Sequence, residues 1–190
     1  MAEATTHIAN VTVAGSTSRT IVFGSIAGTY DDLLVMGSGH GVTTSVNPEY
    51  MDTNFNADTS GLYSWAINYA YNGAYTSLGH VDNSGGGGTS VRVTCLSSKG
   101  SNSDTVTPGG WYMYIPRYAG TTHKKTGWFF CTGLTDATTW AAGTTYSAMT
   151  AWTGFWTYNS TAAITEIQLR GMFDDFAIGS SYDLYGITNS

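Results

Sequence analysis

The chain has 190 residues, of which 11% are charged and 14% aromatic, with 24 glycines, three prolines and a formal net charge of −6. Seven Lys and Arg in total cannot build a phosphate-tracking stripe, which sets nucleic acid aside as a partner. No apolar run approaches the roughly 20 residues that a membrane-spanning helix needs.

The length fits one domain over residues 1–190, with 1–17 forming an arm or an edge strand. Opening as MAEATTHIANV, the sequence shows neither a basic n-region nor an apolar h-region, so the expectation is a protein made in a cytoplasm. Residues 8–13 and 19–23 alternate apolar and polar around AGSTS, which predicts a hairpin or two consecutive strands. In YDDLLVMGSG, Leu33 and Val35 share one parity and Leu34 and Met36 the other, the pattern of a strand buried in part on both faces.

Residues 51–65, MDTNFNADTSGLYSW, place oxygen-bearing side chains at Asp52, Asn54, Asn56 and Asp58. A helix-loop-helix calcium site would need Gly at its sixth position and Glu at its twelfth, where Ala57 and Tyr63 stand. Met51, Thr53 and Phe55 alternate with the polar positions as on a half-buried strand, and NADTSG carries Asx-turn chemistry. The expectation is a β-hairpin leading into LYSWAINYAY, with no metal assigned.

YTSLGHV is a further strand, and NSGGGG, residues 83–88, lacks the Lys-Ser or Lys-Thr of a phosphate loop and is expected to be a mobile hairpin tip. TSVRVTCLS alternates as a strand. WYMYIPRY puts Trp111, Met113 and Ile115 on one face and Tyr112 and Tyr114 on the other, and KKTGWFFCTGL is its expected antiparallel neighbour. Lys124 and Lys125 are read as a solvated strand start, TDATTWAAGTTYS as a polar connection, and AMTAWTGFWTYN, ITEIQLRG and SSYDLYGI as the closing strands. Ten to twelve short strands, no amphipathic helix and no fixed-period repeat define an all-β, antiparallel two-sheet sandwich of jelly-roll-like type.

Catalytic groupings are sparse. The sequence has no G-x-S-x-G elbow, H-E-x-x-H pair or phosphate-binding loop, and its glutamates are Glu3, Glu49 and Glu166. Glu166 reads as a solvated strand residue, and the adjacent Asp174 and Asp175 as a solvated loop. His40 and His123 lie in Gly- and Thr-rich turns without partners in sequence. Cys95 and Cys131 sit in apolar runs and are expected as buried thiols rather than a disulfide or a zinc site. No catalytic, cofactor or metal residue is therefore assigned, and the chain is read as a non-enzyme. Tyr112, Tyr114, Trp140, Trp152 and Trp156 are the candidates for stacking on a glycan, against the plainer alternative of core or subunit contact.

Five segments, VFGSIAGTYDDLLV, NFNADTSGLYSW, YIPRYAGTTHKKT, TAWTGFWTYNSTAAITEIQL and DFAIGSSYDLYGI, resemble in that order the landmarks of small β-sandwich virion proteins of tailed bacteriophages. The likeness runs from Val22 to Ile187 and is most specific at the hairpin and at Leu184-Tyr185-Gly186-Ile187. Ala27 and Gly28 depart from the family's Pro-Ala turn. The resemblance implies a virion accessory protein without catalytic residues or cofactor, most simply a capsid decoration or cement protein. Its implied partners are the major capsid protein and further copies of itself, with a trimer favoured. The alternative it carries is a tail-fibre or tail-tip protein binding host glycans.

Overall fold

The computed structural model describes residues 4–42, 49–71, 74–80, 88–96, 109–135, 148–172 and 175–189. Glu3, Trp140, Asp174, residues 83–87 of the glycine run and most of the 135–147 connection lie outside them.

Twelve strands are present among the described residues: β1 (Ala4–Thr12), β2 (Thr20–Phe23), β3 (Asp32–Gly39), β4 (Glu49–Phe55), β5 (Tyr63–Tyr71), β6 (Ala74–His80), β7 (Val91–Leu96), β8 (Gly109–Pro116), β9 (Lys125–Thr135), β10 (Ala148–Tyr158), β11 (Ile167–Gly171) and β12 (Ser181–Thr188). They form an eight-stranded sheet in the order β1-β12-β3-β8-β9-β10-β5-β6 and a four-stranded sheet in the order β2-β11-β4-β7, with every pairing antiparallel. The all-β two-sheet sandwich read from the sequence is the observed architecture.

Alternation explains which side chains meet between the sheets. Leu33, Val35, Met113, Ile115 and Phe129 point inward from the large sheet, and Met51, Phe55, Val91, Ile167 and Leu169 from the small one, all with no exposed surface. Phe55 joins the two layers, its ring 4.9 Å from Trp156 and 5.6 Å from Tyr158. Each such aromatic removes a large apolar area from water and adds a ring contact of about 0.5–1.5 kcal/mol. Inward-facing glycines admit these rings: at Gly127 a methyl would lie 2.5 Å from Trp156, and at Gly186 it would lie 2.3 Å from the Tyr30 ring.

Several expectations from the sequence are met in detail. β8 and β9 are neighbours, with Trp111, Met113 and Ile115 buried and Tyr112 exposed. Cys131 is buried. β3 is buried on its Leu33 and Val35 face and in part on the other, where Asp32 is 5% exposed, Leu34 half-buried and Met36 42% exposed.

The segment at 51–65 does not form a hairpin. β4 belongs to the small sheet and β5 to the large one, so NADTSG is an arch that carries the chain across the core. β1 and β2 likewise pair with different sheets, β1 along β12 and β2 along β11. The Asx-turn chemistry is present but serves the arch. Asn56 and Ala57 hold positive φ of 55° and 52°. The Asn56 side chain accepts from the backbone N–H groups of Thr165 and Glu166 and donates to the carbonyl of Ala163, tying the arch to the segment before β11.

Lys125 is a further correction. Lys124 is exposed, as a solvated strand start should be, but Lys125 is 2% exposed and points inward. Its ammonium donates to the carbonyls of Gly120, His123 (3.0 Å) and Thr161 (3.4 Å). Thus one cation closes the β8–β9 turn onto the loop after β10, and burial pushes its pKa below the ordinary lysine value.

Candidate functional site: the outer face of the large sheet

The small sheet covers only one side of the large one, so the second side of β3, β8, β9 and β10 faces outward. Five of the seven large hydrophobic side chains exposed among the described residues lie there: Met36 at 42%, Tyr112 at 37%, Trp128 at 42%, Phe130 at 38% and Phe155 at 63%. Scattered apolar residues need no explanation, but contiguous ones mark a contact surface.

Register makes them contiguous. One row across the strands runs Tyr185, Leu34, Tyr114, Trp128, Phe155 and Ala66, each directly opposite the next. The adjacent row runs Asp183, Met36, Tyr112, Phe130 and Thr153. Tyr114 stacks on Trp128 with ring centroids 4.3 Å apart at 28°, and Tyr112 lies 5.9 Å from Phe130. Tyr114 is fixed further by a 2.5 Å hydrogen bond from its hydroxyl to Asp32, whose other oxygen accepts from the N–H of Arg117. No outward position of β8, β9 or β10 that the structure describes carries a charged residue.

A third row carries small side chains: Ser181, Ser38, Gly110 and Thr132. Beside the bulky second row it leaves a groove of about 450 Å³, walled by Met36, Tyr112 and Phe130. Asp183 stands at its end, where one carboxylate oxygen accepts from Asn10 at 2.9 Å and contacts His7 Nε2 at 3.0 Å.

The residues singled out from the sequence divide sharply. Tyr112 and Tyr114 lie in this face. Trp152 and Trp156 do not: they are 5% and 1% exposed and fill the core, because β10 turns its even-numbered residues inward. The same strand turns Phe155 outward. Trp128, Phe130 and Phe155 were not among the candidates, although the alternation of TGWFFC and TGFWTY holds the signal: in each, one of two adjacent aromatics must face away from the core.

The oxygen-rich segment builds structure. Asp52 faces Arg92 and accepts from Ser90 Oγ at 3.1 Å, and Asn54 donates to the carbonyls of Asp58 and Thr89. Asp58 accepts from the Ser60 N–H at 2.8 Å, from the Ser60 hydroxyl and from Tyr158 at 2.7 Å. The Ser60 and Tyr158 hydrogen bonds hold its carboxyl below the usual aspartate value. Tyr63, within the same arch, donates to Asp58 and Phe55 carbonyls, and burial pushes its hydroxyl pKa up. Among the described residues no group of three His, Cys, Asp or Glu converges on a point that could hold a metal.

The remaining candidates have local roles. Glu166 accepts from Gln168 at 2.9 Å, Asp175 from the Thr17 hydroxyl at 3.0 Å, His123 pairs with Thr122, and His40 Nδ1 lies 3.0 Å from the Gly41 carbonyl. Fold and surface together define an antiparallel β-sandwich with an aromatic outer sheet face. No family model matches the sequence, and no curated protein or solved structure matches it either.

Proposed function

We propose that this chain is a non-enzymatic structural protein that assembles with further copies of itself through the Tyr114, Trp128 and Phe155 row on the outer face of its large sheet. The setting that the sequence resemblance implies is a tailed-phage particle, with the protein as a decoration or cement protein on the outer shell beside the major capsid protein.

The observation that supports self-assembly is the uncharged row Tyr114, Trp128 and Phe155. Copies of a protein with net charge −6 repel one another over most approach directions. Over the outward positions of β8, β9 and β10, which carry no charged residue among those the structure describes, they can meet and remove aromatic area from water with little charge to desolvate. Aromatic enrichment with charge depletion is the composition of an interface centre.

Sedimentation velocity on the purified chain tests this. The parent is expected as a closed oligomer, a trimer being the favoured form, and the Trp128→Ser/Phe155→Ser double variant as a folded monomer. A monomeric parent at high protein concentration, or a variant with undiminished assembly, would refute the interface. Copy number relative to the shell protein in purified particles tests the setting: a ratio near that of the shell subunits supports decoration, and a few copies per particle would move the protein to the tail.

A further inference from the structure

We infer that the groove over Gly110 is a binding site for a neutral pyranose, distinct from the row proposed for self-assembly. A sugar ring carries two chemistries at once, a C–H face that packs on aromatic rings and a rim of hydroxyls that need partners. The groove offers both within one concavity.

Its wall supplies the apolar part. Tyr112 and Phe130 are exposed side by side, 5.9 Å between centroids and 34° apart in plane, with Met36 continuing the wall. Their positions are set by register, since Met36, Tyr112 and Phe130 are direct cross-strand neighbours. A ligand ring laid against them needs no rearrangement of the sheet.

The polar part comes from the floor and the end. Ser38, Ser181 and Thr132 place hydroxyls along the small-residue row, Ser181 held by Asn10 at 3.0 Å and Thr132 donating to the Gly110 carbonyl at 3.4 Å, and Tyr185 and Asp183 close the end. Asp183 uses Oδ1 for Asn10 and His7, which orients the carboxylate and leaves Oδ2 to accept from a ligand hydroxyl. The volume of about 450 Å³ falls within the range of about 300–1,000 Å³ typical of small-molecule sites.

The same residues argue against other occupants. No Lys or Arg lines the groove, and a carboxylate stands in it, which disfavours sulfated or carboxylated sugars. A divalent cation would find a single carboxylate and no converging cluster among the described residues. A flat apolar partner would take the Asp183 carboxylate out of water and offer it no donor in return.

Gly110 makes the inference testable without harm to the core. It faces outward, and a methyl added there would meet nothing nearer than Thr132 Oγ1 at 4.0 Å. Gly110→Leu therefore fills the groove while the inner face is untouched. The experiment is saturation-transfer NMR on the full chain with methyl glucoside, galactoside and mannoside, their short oligomers, and glucuronate and sialic acid as anionic counterparts. Binding of at least one neutral sugar is expected, weakened at least about tenfold by Gly110→Leu and by Asp183→Ala.

Absence of binding to the whole neutral panel, unchanged binding in Gly110→Leu, or preference for the anionic sugars would each overturn the assignment. Sedimentation of the same variant keeps the two readings apart. Gly110→Leu should leave the oligomer intact, and Trp128→Ser/Phe155→Ser should leave sugar binding intact.

Discussion

Replacing Lys125 with Met removes the most deeply buried cation described in this sandwich and keeps its aliphatic volume. The change withdraws the donors from three carbonyls, those of Gly120, His123 and Thr161. A buried acceptor left without its partner costs about 1–3 kcal/mol. Residues 120–124 are near solvent, so the low end applies to each, and relief of the ammonium's own desolvation offsets part of the sum. A net loss of about 2–3 kcal/mol follows, which at about 2–4 °C per kcal/mol for a chain of this size lowers the melting midpoint by about 4–12 °C.

The control is Lys124→Met, one residue earlier and exposed, which should stay within about 0.5 kcal/mol of the parent. Thermal melts followed by near-UV circular dichroism read both variants. The pH dependence has a definite sign. Because burial lowers the folded-state pKa of Lys125, the ionised form is penalised below that pKa, and the penalty lifts as pH rises through it toward the unfolded value near 10.4. The parent should thus gain on Lys125→Met in the alkaline range. A Lys125→Met melt within 1 °C of the parent, or equal to that of Lys124→Met, would refute the clamp.

Gly186→Ala should cost about 1–3 kcal/mol by overpacking, since its methyl would enter the Tyr30 ring, whereas Gly110→Ala should stay near neutral; equal denaturation midpoints would contradict the packing. Asp58→Ala should cost about 0.5–1 kcal/mol at pH 7, modest because the carboxylate is half exposed. Its depressed pKa means that this stabilisation is present above the unfolded value near 3.9 and is lost as pH falls through the folded value. Urea titrations of parent and variant should therefore converge in acid, and a gap that widens there would count against the arch hydrogen bonds.

How far the fold was legible depends on what alternation encodes. The period of two in WYMYIPRY and TGWFFC fixes strand identity and the inward parity, and Trp111, Met113, Ile115, Phe129 and Cys131 are buried accordingly. It carries no information about which sheet receives a strand, so MDTNF and LYSWAINYAY read as a hairpin although an arch joins them. The Asx residues gave no warning, because an Asx turn serves a hairpin and an arch equally. Lys125 was misread because its partners are backbone carbonyls, invisible in side-chain identity. The aromatic face was half legible: both parities of β9 and β10 carry aromatics, so Trp152 and Trp156 were chosen where Trp128 and Phe155 face out.

The place of β12 in the large sheet bears on how the chain reaches this state. β12 lies between β1 and β3, so residues 181–188 must arrive before two of the first three strands have their shared neighbour. Pairings that close loops of about 150 residues or more are slow to form, and the strand edges waiting for them are templates for wrong partners. On a ribosome, β1 and one edge of β3 stand open until residues 181–188 have emerged. Completion of the large sheet is then gated by β12, and a chain cut short before Ser181 would leave β1 without its strand partner and one edge of β3 open.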